Sequence, residues 1–247
     1  GSEMCIRDRP PAQDANGQLI SFDSYGFSLS AGGDANPSQD MVSWNWKAGG
    51  AAVSNNNGTL TSTVNVNQSA GFSIVKYTPP SGGSVYTNTV GHGLSSAPEI
   101  IIQKATQDNS AAWYVHTSLI DGSNDYLVLN TDAGKVDNSH NFAVTSTTFT
   151  DWGWNGNEII NYCWHSVEGY SKIGTYPGDG NATGPTVTTG FEPSWLMIKR
   201  TDTSGEWNIF DNKRDTSNPR NVTLWAQSDD SESVSYTHLR AHETINH

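Results

Sequence analysis

The sequence predicts an all-β protein, an antiparallel β-sandwich with jelly-roll-like units repeated along the chain. Three observations carry this expectation. No stretch holds the 3.6-residue apolar period of an amphipathic helix over three turns. Short β-branched and aromatic runs alternate with Gly, Asn, Ser and Pro punctuation, at intervals of about 8 to 15 residues. The same series of sequence words then recurs further along the chain.

Taken in order, residues 59–67 (TLTSTVNVN) alternate strictly and put Leu60, Ser62, Val64 and Val66 on one face. Strand-like runs follow at 71–77 (GFSIVKY), 99–104 (EIIIQK), 112–116 (AWYVH) and 125–130 (DYLVLN). Further runs lie at 142–152, 158–167 (EIINYCWHSV), 194–200 (SWLMIKR), 206–211 (EWNIFD) and 222–227 (VTLWAQ). Each mixes β-branched or aromatic residues and is bounded by turn formers.

The repetition is ordered. GFSIVKY at 71 answers GYSKIGTY at 169, and TVGHGL at 89 answers TVTTGF at 186. Pro98 answers Pro193 and Lys104 answers Lys199, both 95 residues apart, while Trp113 answers Trp207 at 94. Upstream, 26–47 resembles 147–166 and sets Trp44 against Trp164, 120 residues apart. The larger offset implies an insertion between the two blocks, and insertions are tolerated where a chain can loop out of its core. The expected organisation is the end of one unit at 10–47, a connector at 48–70, a complete unit at 71–168 and the start of another at 169–233. A phase beginning near Gly26 also fits the matches.

The two ends are read differently. Back-translated, GSEMCIRDR at the start and SYTHLRAHET near the finish fit opposite strands of one DNA segment, like a translated transposase sequencing adapter. Residues 1–9 and 234–247 are therefore expected to be adapter-derived and are set aside from fold reasoning. Between them lies Cys163 alone, with no second cysteine for a disulfide or a thiolate metal site, and a buried inert thiol is expected. A net charge of −12 argues against nucleic acid, whose binding relies on Lys and Arg. No apolar run reaches the roughly 20 residues of a membrane-spanning helix, so no membrane insertion is expected. All nine tryptophans fall inside 10–233, which marks a chain that folds.

No arrangement of residues announces a reaction. His92, His116, His140 and His165 form no metal-ligand spacing, and His92 in Gly-His-Gly reads as a solvated turn residue. There is no G-x-S-x-G elbow. Asp151 and Glu158 are the candidates for a glycosidase-type carboxylate pair, but the aligned words replace them with other residue types. Asp121 with Asp125, and Asp179 with Asn181, offer oxygen ligands for Ca²⁺, yet Asp and Asn are also the favoured turn residues. Neither a catalytic residue, a metal nor a cofactor is expected. The ligand-binding candidates are Trp152 and Trp154, two apart on one expected strand face, with Asn155 and Asn157 beside them. Aromatic faces stack on sugar rings and amides bond hydroxyls. Trp44, Trp113, Trp164 and Trp207 recur between units and read as framework.

The words FDSYGFSLSAGGDAN, VSWNWKAGG, TVGHGLSSAPEIIIQK, VEGYSKIGTYPGDGNATGP and GFEPSWLMIKRTDTSGEW resemble a repeat of marine bacteriophage virion structural and tail-fibre proteins, in a domain family without an assigned function. The likeness covers essentially all of 10–233. Two turns depart from the family pattern, TPPSGGSVYTN and WNGNEIINYCW. The resemblance implies a non-enzymatic β-rich virion module, outside the cell, whose partners are other virion proteins, its own copies and host-surface glycans. It supplies no catalytic residues. A carbohydrate-active enzyme or its sugar-binding module, and a cellular surface adhesin, are the alternative readings.

Overall fold

The computed structural model describes residues 19–234 except 33–34, 37, 39–40, 83–85, 138 and 182–183. Its strands are β1 (Leu19–Asp23), β2 (Gly26–Leu29), β3 (Val53–Asn55), β4 (Ser62–Asn67), β5 (Phe72–Tyr77), β6 (Thr89–Gly91), β7 (Ile100–Ala105) and β8 (Tyr114–Thr117). They continue with β9 (Asp125–Val128), β10 (Thr148–Thr150), β11 (Ile159–Trp164), β12 (Trp195–Lys199), β13 (Trp207–Asp211), β14 (Val222–Trp225) and β15 (Ser233–Val234). Among the described residues the one helical turn is 3-10, Gln68–Ala70. The class is all-β, every strand ladder is antiparallel, and the sheets stack as a sandwich.

Seven strands form the main sheet in the order β3-β4-β5-β11-β7-β8-β9. The chain leaves this sheet after β5 to make β6, returns as β7, leaves again after β9 to make β10, and closes as β11 between β5 and β7. β6 and β10 pair with each other. Strand alternation gives the main sheet two apolar faces. On the first, Val64, Val75, Tyr77, Ile101, Ile159 and Cys163 pack against Val90, Phe142, Phe149 and Trp152. On the second, Phe72, Ile102, Val115, Leu127 and Tyr162 pack against Trp207 and Met197, which come from the four-stranded sheet β12-β13-β14-β15.

Local chemistry fixes the joints. The Asn67 side chain accepts a hydrogen bond from Ala70 N at 3.2 Å, capping the turn between β4 and β5. Gly71 then takes φ 60°, and a Cβ there would meet the His165 carbonyl oxygen at 2.6 Å. Only glycine fits this crossing beside β11. Cys163 is a free, fully buried thiol whose ionisation burial pushes well up, so it is inert.

Two meanders share one register. β7 and β8 pair Ile101 with His116, Ile102 with Val115 and Gln103 with Tyr114. β12 and β13 pair Leu196 with Phe210, Met197 with Ile209 and Ile198 with Asn208. Moving the first set by 95 residues on one strand and 94 on the other lands on the second. The Leu129 amide donates to the Trp113 carbonyl at 2.8 Å, as Ala226 does to Trp207 at 3.1 Å. The amides of Trp113 and Trp207 donate to the side chains of Asn130 and Gln227, each at 2.9 Å.

Candidate ligand-binding cavity

Tyr114 on β8 and Tyr126 on β9 point to the first face of the main sheet, where strand alternation puts them with His116. The loop 151–154 crosses above them and brings in Trp152 and Trp154. Val136, Asp137, Ser139, His140 and Tyr86 complete a cavity of about 470 Å³, within the range of small-ligand sites. Trp152 is its floor, 7 % exposed, with the rings of His116, Tyr126 and Tyr86 at 4.6, 5.2 and 5.5 Å. Trp154 is half-buried and its ring lies 5.1 Å from Tyr114. Tyr86 stacks on His140 at 4.0 Å, nearly parallel at 9°.

Backbone conformation marks the same place. Among the described residues, only Tyr86 (φ 65°) and Trp154 (φ 58°) have positive φ without being glycine. For a bulky residue that conformation costs about 1–2 kcal/mol, and such strain clusters at ligand clamps. Both residues line the cavity. Burial raises the phenols of Tyr86 and Tyr114 above their usual range, so both remain O–H donors at neutral pH.

A buried polar chain holds the floor. The fully buried His116 bonds through Nε2 to Gln103 Oε1 at 3.0 Å, and Gln103 Nε2 donates to Tyr77 Oη at 3.3 Å. Tyr77 in turn donates to Asp151 Oδ1 at 2.9 Å. The directions close only if His116 carries its proton on Nε2, because Gln103 offers its oxygen there. Burial lowers His116 to about 3, so it is neutral. Burial also raises Asp151, whose Oδ2 has no hydrogen-bond partner. The chain ties β5, β7 and β8 to the residue before Trp152.

The sequence-predicted residues divide. Trp152 and Trp154 meet at the cavity, though on a loop rather than a strand, because the positive φ of Trp154 and Gly153 breaks the extended run. Asn155 and Asn157 lie in the turn beyond, where Asn157 N donates to the Trp154 carbonyl at 3.0 Å, and neither lines the cavity. Asp151 and Glu158 serve different partners: Asp151 bonds Tyr77, while Glu158 faces Lys76 at 3.1 Å and Thr106 at 3.4 Å. His92 is fully buried rather than solvated. Its Nδ1 accepts from Leu94 N at 3.1 Å and its Nε2 lies 3.3 Å from the Thr145 carbonyl, an anchor that Gly-His-Gly does not advertise.

Asp121 and Asp125 do converge, with Asp137. The ammonium of Lys135 stands among them at 2.7, 2.9 and 2.5 Å, where a bound cation would otherwise sit. Asp179 caps its own turn, accepting from Asn181 N at 3.0 Å. Sequence reasoning missed Tyr86, Tyr114, Tyr126 and His140. The available signal was the alternation of Tyr114 with His116 in AWYVH, but the cavity draws on five separate segments.

Fold and cavity together define an all-β domain with an aromatic-lined recess on one face of its main sheet. The chain belongs to the family described as a domain of unknown function, DUF7483, which it matches over residues 7–241. No curated protein and no solved structure matches it.

Proposed function

We propose that this protein is a non-enzymatic module of a phage virion appendage, and that its aromatic cavity holds a sugar unit of a host-surface glycan. The observation that carries the binding reading is the pair of strained aromatic residues, Tyr86 and Trp154, set on one recess. Rings of this kind stack on the apolar faces of pyranoses, while Ser139, Asp137 and the phenols offer hydrogen bonds to hydroxyls. The virion reading rests on the resemblance of the sequence words, and the acidic, repetitive chain agrees with a spacer that presents weak sites in number. Its expected place is the virion surface, outside the cell, beside other virion proteins.

The experiment is calorimetric titration with oligosaccharides cut from marine bacterial polysaccharides, paired with an assay for released reducing ends. Millimolar to micromolar binding is expected, weakened at least about tenfold by Trp154→Gly, a loss of about 1.4 kcal/mol. No release is expected. Sustained release that vanishes on replacing Asp151 or Glu158 would make the protein a glycosidase. Binding untouched by Trp154→Gly would move the site elsewhere.

A further inference from the structure

The main sheet and the four-stranded sheet differ at one edge. β7 is held on both sides, by β8 and by β11, whereas β12, with the same register to its neighbour, is held among the described residues by β13 alone. Its sequence Trp-Leu-Met-Ile-Lys is that of a strand buried on both faces, yet Leu196 is 41 % exposed. Asn212 N donates to the Ser194 carbonyl at 3.0 Å. Because bonded pairs alternate along an antiparallel ladder, Leu196 and Ile198 turn their backbones toward β13, and the amides of Trp195, Met197 and Lys199 face outward. An apolar edge with free amides is a template for another strand.

One segment of the chain fits that template. Residues 41–47 carry no strand pairing, but from Ser43 to Lys47 the exposure alternates as in a strand: Trp44 and Trp46 are half-buried while Ser43, Asn45 and Lys47 are exposed. Both tryptophan rings rest on Trp195, at 6.3 and 5.7 Å, as residues two apart on one strand face would across a ladder. Trp46 also meets Trp164 at 6.1 Å, and Asn67 Nδ2 donates to the Lys47 carbonyl at 2.8 Å, so the segment is moored between the two sheets. The word alignment sets Trp44 against Trp164. On β11, Trp164 stands opposite Ile100 and Cys163 opposite Ile101. Carried over, Trp44 falls opposite Trp195, where its ring already lies, and Ser43 falls opposite Leu196.

We infer that the outer edge of β12 is a strand-acceptor site and that residues 41–47 of the same chain are its occupant, adding antiparallel in the register that β11 has on β7. This goes beyond the glycan reading and does not rest on it. It means that the first and last parts of the described chain make one sheet, and that a segment of β11 character is the joint by which such units are completed.

The test is disulfide trapping in the full chain with Cys5→Ser, since Cys163 is buried. Ser43→Cys with Leu196→Cys joins a pair expected without ladder bonds, about 4.5 Å apart between Cα atoms, within reach of a disulfide. Mild oxidation should give an intrachain link at least about tenfold faster than Asn45→Cys with Ile198→Cys, which the register separates by four positions, about 13 Å along a strand. Equal rates, no link, or a link formed only between chains would overturn the inference. Hydrogen exchange gives a second reading that no cysteine variant affects. Val42→Pro, opposite Met197 in this register, should speed exchange of the Met197 amide at least about tenfold while β5 amides keep theirs. Unchanged exchange at Met197 would overturn it equally.

Discussion

Trp152 and Trp154 stand two residues apart and have different duties. Trp152 is enclosed by rings on several sides, so Trp152→Ala removes a large core side chain and is expected to cost about 3–5 kcal/mol in denaturant unfolding. Trp154→Gly removes a half-buried ring but also its positive φ, and the two effects oppose, so stability should change by no more than about 1 kcal/mol. Trp154 is thus the clean probe of binding. His116 carries a pH prediction. Its folded value of about 3 lies below the unfolded one of about 6.5, so between those values the unfolded chain binds the extra proton and stability falls as pH drops. The loss from pH 7 to pH 3 is on the order of 4 kcal/mol. Asp151, raised by burial, works in the opposite sense, so the measurement is the difference in slope between wild type and His116→Gln. The tryptophans were legible in the sequence as ring-bearing residues. Their burial was not, because His116 and Tyr126 reach Trp152 from strands whose order no local pattern specifies.

At the scale of the element, alternation did most of the predicting. Each of the ten runs picked out by β-branched and aromatic residues holds a strand, from Ser62–Asn67 to Val222–Trp225. Of the strands left unnoticed, Val53–Asn55 and Ser233–Val234 have too few residues to show a period. Trp207 links the two sheets: its Nε1 donates to the Val128 carbonyl at 3.1 Å and its ring is 3 % exposed in the second core. Trp207→Ala should cost about 3–5 kcal/mol, and Trp207→Phe, which keeps a ring but loses that bond, about 1 kcal/mol more than a volume change alone. Lys135 organises the loops around β9. Three carboxylates hold its ammonium above the usual lysine range, and the bond to Lys135 leads in holding Asp121 below the usual carboxylate range. A depressed carboxylate stabilises the fold above its unfolded value, and that contribution fades as pH falls through its folded one. Lys135→Met should therefore melt below wild type at pH 7, with the gap narrowing toward pH 2. A constant gap would mean that Lys135 acts by packing.

For the whole molecule, the class was readable because punctuation and period recur over the entire chain, whereas the cavity was not. It gathers Tyr86, Tyr114, Tyr126, Asp137, His140 and Trp154 across the closing of β11 between β5 and β7, a step set by long-range pairing. A single shallow recess of this kind binds weakly, and strength then comes from number. Joining two copies through a flexible linker makes the second binding event intramolecular, at an effective concentration near millimolar, and can raise avidity by about 10²–10⁴ without any new contact. The gain appears only where the glycan repeats and the linker spans two sites. A tandem dimer passed over an immobilised polysaccharide should therefore dissociate at least about tenfold more slowly than the single chain, while a short oligosaccharide in solution binds both alike. A dimer with Trp154→Gly in one copy should fall back to single-chain behaviour, because avidity needs both recesses. If it keeps the slow dissociation, the polysaccharide is held by a surface that this cavity does not include.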